Sequence, residues 1–197
     1  MPLPNRLIPF GQIASVTLGL TPAGRDARLS DLIRVVQVGD LIEESNEVRP
    51  LEELNQVQVN SGLSLHRYRV ECGDLLVSCK GTLGKVAMVG GATEGAVATS
   101  NLLIVRPSLG VRPSTVLAIL KSERAQQHFR SRARGSINQV MSFRDLDSME
   151  IPDPAGLPVE LLDELLEAHA TYMKATKKAL EAKNNLTKRL IEQAVWG

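Results

Sequence analysis

From Pro158 to Trp196 the chain runs without an internal glycine or proline, and Pro158 suits the first position of a helix. One helix there would span roughly 55 Å, too long to be covered by a domain built from the rest of the chain. Its first turns are acidic (Glu160, Asp163, Glu164, Glu167) and its later turns basic (Lys174, Lys177, Lys178, Lys183, Lys188, Arg189). That order complements the helix dipole. Leu162, Leu166, Met173, Leu180, Leu190 and Ala194 mark an apolar stripe, widened by Leu165, Tyr172, Ala179 and Leu186. His169, Thr176 and Lys183 interrupt it at seven-residue intervals, so it is no self-specifying zipper. Such a stripe needs a partner. An antiparallel neighbour would set acidic starts beside basic ends.

Upstream, Val70–Pro107 carries the densest strand signal. Leu75–Val77, Val86–Val89 and Leu102–Val105 are short apolar runs separated by Gly, Thr, Ser and Asn, which predicts three buried strands joined by two loops. The first loop, Lys80-Gly81-Thr82-Leu83-Gly84-Lys85, sets two lysines and a hydroxyl around two glycines. It reads either as a glycine hairpin with solvated lysines or as a loop whose amides approach a phosphate. Weaker strands are expected at Gln12–Leu18 and Ile33–Val38. Arg25 and Arg28 stand in a polar loop between them. Leu41–Glu53 holds Glu43, Glu44, Glu47, Glu52 and Glu53 against Arg49 alone, and is expected to face away from any nucleic acid.

With a net charge of +1, only the distribution of charge can point to a polyanion. It does so after a helix expected to start at Pro113-Ser114 and a second from Glu123 to about Phe129, with Ser122 as cap. Between Lys121 and Arg144 there are six basic residues and one acid. The run Arg130-Ser131-Arg132-Ala133-Arg134-Gly135-Ser136-Ile137-Asn138-Gln139 is expected to leave that helix as a loop. Arginine forks suit phosphates and guanine edges, and side-chain amides suit adenine edges; solvated arginines are the plainer alternative. Pro152-Asp153-Pro154-Ala155-Gly156 then reads as a hinge that closes the globular part.

The chemistry of an enzyme is not evident. Gly84-Lys85 ends like a phosphate-binding P-loop, but Cys79 stands where the first glycine belongs and Val86 replaces the metal-binding hydroxyl. Cys72, Cys79 and His66 are scattered for a metal site, and buried reduced thiols are the simpler reading. No Gly-rich dinucleotide fingerprint is present, and neither is an Asp/Asn-Pro-Pro-aromatic methylase motif. No cofactor is therefore expected. Two cysteines, no leader and no apolar run of membrane length predict a soluble, cytoplasmic protein in a reducing setting.

The run Gly-Asp-Leu-Leu-Val-Ser-Cys-Lys-Gly-Thr-Leu-Gly-Lys with the Asn-Leu-Leu-Ile-Val-Arg-Pro ending resembles the DNA specificity subunit of Type I restriction–modification systems. The likeness continues through Gly135-Ser136, Ser142-Phe143-Arg144-Asp145-Leu146 and Ile151-Pro152-Asp153-Pro154 before a long helix. It also takes in the weaker Leu7–Pro22 and Ile33–Leu41 elements. The resemblance implies an α/β (α+β) target recognition domain with a mixed, strongly curved sheet at 1–156, and one long coiled-coil helix at 157–197. That helix would act as spacer, dimerisation and methylase-docking segment. Typical family members carry two such domains and two antiparallel helices, so this chain corresponds to half a subunit. The implied partners are double-stranded DNA, a methyltransferase subunit, a restriction subunit in some complexes, and a second copy; no membrane partner is implied. Lys80, Thr82 and Lys85 are expected at the DNA backbone. Arg130, Arg132, Arg134, Ser136, Asn138 and Gln139 are expected at bases or grooves, with Arg144 in support. A stand-alone DNA-binding accessory of a defence system and a coiled-coil protein adaptor are the alternatives.

Overall fold

The computed structural model describes residues 6–21, 30–60, 64–132 and 140–197. In chain order the first strands are β1 (Leu7–Pro9), β2 (Ala14–Leu18), β3 (Ser30–Val36), β4 (Leu41–Ile42), β5 (Glu47–Val48) and β6 (Gln56–Asn60). The three expected central strands follow as β7 (Leu75–Ser78), β8 (Val86–Met88) and, after the two-residue β9 (Val97–Ala98), β10 (Leu102–Pro107). Helices α1 (Pro113–Lys121), α2 (Glu123–Arg132) and α3 (Phe143–Asp147) lead to β11 (Glu150–Pro152) and the long α4 (Val159–Trp196).

Among the described residues the main sheet has six strands in the order β2-β10-β7-β8-β5-β4. Its pairs are antiparallel except β5 with β8, so the sheet is mixed as expected. All four residues of β7 are buried because each face of the sheet has its own core. Leu75, Val77, Leu103 and Val105 turn toward Val116, Leu120 and Phe129 of α1 and α2. Leu76, Leu102 and Ile104 turn toward Val36, Leu41, Val48 and Leu54. A strand covered on both faces reads as an unbroken apolar run, which explains the pattern of the sequence. A second, three-stranded sheet (β6-β3-β9) and the antiparallel pair β1–β11 complete the domain. The latter fastens the first strand to the residues just before α4.

One polar pair joins the neighbouring ends of β7 and β10. Arg106 donates from Nε and Nη2 to the two carboxylate oxygens of Asp74, each at 2.8 Å, and Asp74 is only 2% exposed. The Asp74 carboxylate, followed by the Glu71 charge, raises the guanidinium above its ordinary pKa against the opposing effect of burial. Arg106→Leu would take the half-exposed guanidinium from a buried carboxylate that keeps the Glu71 amide, and the expected loss of stability is about 1.5–3 kcal/mol. Urea unfolding measures it, and a loss below about 1 kcal/mol would mean that water reaches Asp74 freely.

Helix α4 begins one residue after Pro158 and lies on the domain through its first half only. Leu162, Leu166, Ala170 and Met173 are half-buried, whereas the residues from Lys174 onward are exposed. This corrects the single stripe read from the sequence. Leu162, Leu166 and Met173 face the helix's own domain; Leu165, Tyr172, Leu180, Leu186 and Leu190 remain in solvent. Four ion pairs flank the contact: Arg112 with Glu160 (3.3 Å) and Asp163 (3.0 Å), Lys174 with Glu47 (3.3 Å) and Lys177 with Glu44 (3.1 Å). Part of the acidic Leu41–Glu53 stretch therefore serves as a seat for the basic turns of α4. A hydrogen bond from its own backbone, then the Lys177 ammonium, hold the Glu44 carboxyl below its ordinary range.

Candidate nucleic-acid interface

The Lys80–Lys85 loop is the hairpin turn between β7 and β8. Gly81 (φ +72°) and Gly84 (φ +81°) take left-handed backbone that side chains disfavour. Ser78 braces the turn: its hydroxyl donates to the Thr82 carbonyl at 2.6 Å and accepts the Lys85 amide at 2.8 Å. The Gly84 amide donates to the Ser78 carbonyl at 3.0 Å. The amides of Gly84 and Lys85 are thus already used inside the turn and are not available to cradle a phosphate. Phe129 and Gln126 of α2 press on Gly84 so closely that a Cβ there would lie 2.9 Å from the phenylalanine ring. Gln126 Nε2 also donates to the Gly84 carbonyl at 3.0 Å. The hairpin and α2 form one unit.

The described chain that flanks residues 133–139 touches the hairpin on both sides. Lys80 forms an antiparallel bridge with Val140, and the Met141 amide donates to the Cys79 carbonyl at 2.9 Å. The described chain on either side of residues 133–139 is therefore α2, which packs on the hairpin, and Val140, which is bonded to it. Lys80 is half-buried, while Gly81 and Thr82 are exposed. Beside them Ser142 caps α3, with its hydroxyl accepting the Asp145 amide and the Asp145 carboxylate accepting the Ser142 amide. This short helix presents Phe143, with Arg144 stacked 5.7 Å from its ring centre. Val140 (51% exposed) and Phe143 (45% exposed) are apolar groups on this surface that were not among the expected site residues. Their signal was faint: two large apolar residues in an otherwise polar, basic stretch.

The expected site residues fare unevenly. Lys80, Thr82, Arg130 and Arg144 lie on the elements just described. Arg130 and Arg132 were expected in a loop but occupy the last turn of α2. No glycine intervenes before Gly135, arginine favours helix, and Arg130 reaches back to Glu123 at 2.6 Å. Lys85 points the other way, to Glu43 at 2.9 Å. Glu43, from the acidic stretch expected to face away from nucleic acid, therefore sits at the hairpin beside Lys85. Lys121, counted in the basic segment, hydrogen-bonds Asn46, and burial pulls its pKa down. Arg25, Arg28, Arg134, Ser136, Asn138 and Gln139 lie outside the described residues. Cys79 is buried and its thiol is pushed up to about 11 by burial, so it is a packing group. Among the described residues no three His, Cys, Asp or Glu side chains gather as a metal site, and no helix is long and apolar enough to cross a membrane.

No protein-family profile and no curated protein matches the chain. Solved structures do. A chain from a study of complex assembly and conformational transition of the type I R-M system superposes with a TM-score of 0.63 at 17% identity. It is matched over 98% of this chain and 45% of its own length. The HsdS subunit of Thermoanaerobacter tengcongensis gives 0.62 at 15% identity, over 98% of this chain and 49% of its own. The chain therefore shares the fold of about half of each of these solved chains, a mixed α/β domain followed by one long helix. The chain spans about half the length of the solved chains it matches.

Proposed function

We propose that this protein is a non-catalytic, sequence-specific DNA-recognition subunit that directs a Type I-like methyltransferase complex to its target. The observation that carries this reading is the Lys80–Val140 bridge, which joins the glycine hairpin to the end of the arginine segment on a specificity-subunit fold. Lys80, Thr82 and Arg144 contact the DNA backbone and hold the register. Arg130, Arg132, Arg134, Ser136, Asn138 and Gln139 supply groove and base contacts. Residues 1–156 do the reading and 157–197 set the spacing. A second copy pairs along α4, and the methyltransferase subunit, with or without a restriction subunit, docks on the assembled pair.

Selection of bound oligonucleotides from a random pool tests the reading, and recovery of no motif would remove it. If Arg132, Arg134, Asn138 or Gln139 reads a base edge, its alanine variant should lose about 1–3 kcal/mol of discrimination at one target position. Unchanged discrimination in all four would move base reading elsewhere in the domain, with Arg25 and Arg28 next to be tested. The exposed apolar side of α4 is the observation that favours the alternative, a coiled-coil adaptor. An adaptor would show no salt-sensitive affinity for DNA.

A further inference from the structure

The side of α4 turned away from its own domain is itself a patterned surface. At about 100° per residue, Leu161, Leu165, Ala168, Tyr172, Ala175, Ala179, Ala182 and Leu186 fall within roughly 100° of arc. That arc is opposite the face on which Leu162, Leu166 and Met173 meet the domain. All eight are exposed, with Leu161 at 47%, Leu165 at 56%, Tyr172 at 66% and Leu186 at 58%. The spacing alternates by three and four residues, the repeat of a coiled-coil seam. Leu161, Leu165 and Leu186 stand toward its ends, and in its middle Tyr172 lies among four alanines that leave room for it on a second helix.

We infer that this seam takes the same seam of a second copy, antiparallel, in one register: Leu161 against Leu186, Leu165 against Ala182, Ala168 against Ala179, and Tyr172 against Ala175. The inference rests on the dimeric reading above and fixes its geometry. Three observations select this register. Each central layer sets a large residue against an alanine or an alanine against another, which is the condition for helices to pack without voids or overlap. Every seam position from Leu161 to Leu186 is covered. Sliding one heptad in one direction would place Arg189 on Leu165, and sliding it in the other would leave Leu186 uncovered. The chosen register also sets Glu164 against Lys183 of the partner, at the flank of the seam, while Glu160 and Asp163 stay with Arg112 of their own domain. The domains do not obstruct it, because each sits on the far side of its own helix.

Paired cysteines test it on a Cys72→Ser background, since Cys72 is exposed and Cys79 buried. Oxidised L165C/A182C should run as a covalent dimer, whereas L165C/A175C, which reports the neighbouring heptad register, should not. Ala175→Leu would collide with Tyr172 and should weaken self-association by about tenfold or more with helicity unchanged. A dimer by light scattering that cross-links only through L165C/A175C, or that tolerates Ala175→Leu, overturns this register and leaves the dimeric reading intact. A monomer at micromolar concentration, with neither pair cross-linking, overturns both.

Discussion

Lys80→Ala should flatten the dependence of DNA affinity on salt by roughly one unit of slope per copy, while Lys85→Ala should flatten it by less than half as much. From sequence the two lysines are equivalent, one on each side of the same pair of glycines. The structure separates them. Lys80 is bonded through its backbone to Val140, at the mouth of the arginine segment. Lys85 reaches Glu43 at 2.9 Å, so its charge is already matched and lending it to a phosphate would bring a carboxylate toward the DNA. A reader making six to ten phosphate contacts loses about 10³–10⁵ in affinity between about 50 and 200 mM salt, so a lost contact is measurable. Glu43→Gln should then act opposite to Lys80→Ala and raise affinity at low salt. Equal slopes for the two lysine variants would move the DNA-facing surface to the Glu43 side of the hairpin.

How much of this was legible follows from the range of the interactions involved. Strands β7, β8 and β10 were readable because both of their faces are covered, so a run such as Leu75-Leu76-Val77 is apolar without alternation. Strand β9 was not: two residues, Val97 and Ala98, paired parallel to Val35 and Val36, carry no periodicity of their own. The length of α4 was plain from the absence of glycine and proline. Its division into two apolar faces was not, because which side meets the domain is set by contacts with α1 and by Arg112, Glu44 and Glu47, all distant in the chain. The same holds at the candidate interface. Composition marked the lysine hairpin and the arginine segment, but tertiary contacts such as the bridge between Lys80 and Val140 are what tie the hairpin to the chain flanking that segment. That bridge and the Glu43 contact tell the two lysines apart. Arg106 with Asp74 was passed over for the same reason, since an ion pair across the sheet leaves no local pattern.

Deleting one heptad, Lys178–Asn184, should shorten the preferred spacer between two inverted half-sites by about 3 base pairs and leave each half-site unchanged. The deletion begins after Lys177, the last residue of α4 paired to the domain, so Leu162, Leu166, Met173 and the ion pairs to Glu44 and Glu47 are kept. Seven residues are close to two turns, so Leu186 returns to the seam and can again face Leu161 of the other copy. The rod is then about 10 Å shorter between the two domains at 1.5 Å per residue. In the full-length register the two helix starts lie roughly 44 Å apart, about 13 base pairs of B-form DNA. A two-fold protein of that span reads a two-fold site with an unread middle. A five-residue deletion is the control. It turns the distal half of the helix by about 140° and carries Leu186 off the seam, so pairing and the spacer preference should both be lost. Selection from a pool with randomised half-sites and variable spacing reads all three proteins at once. An unchanged spacer in the heptad deletion would mean that α4 does not set the distance between recognition domains, whatever else it binds.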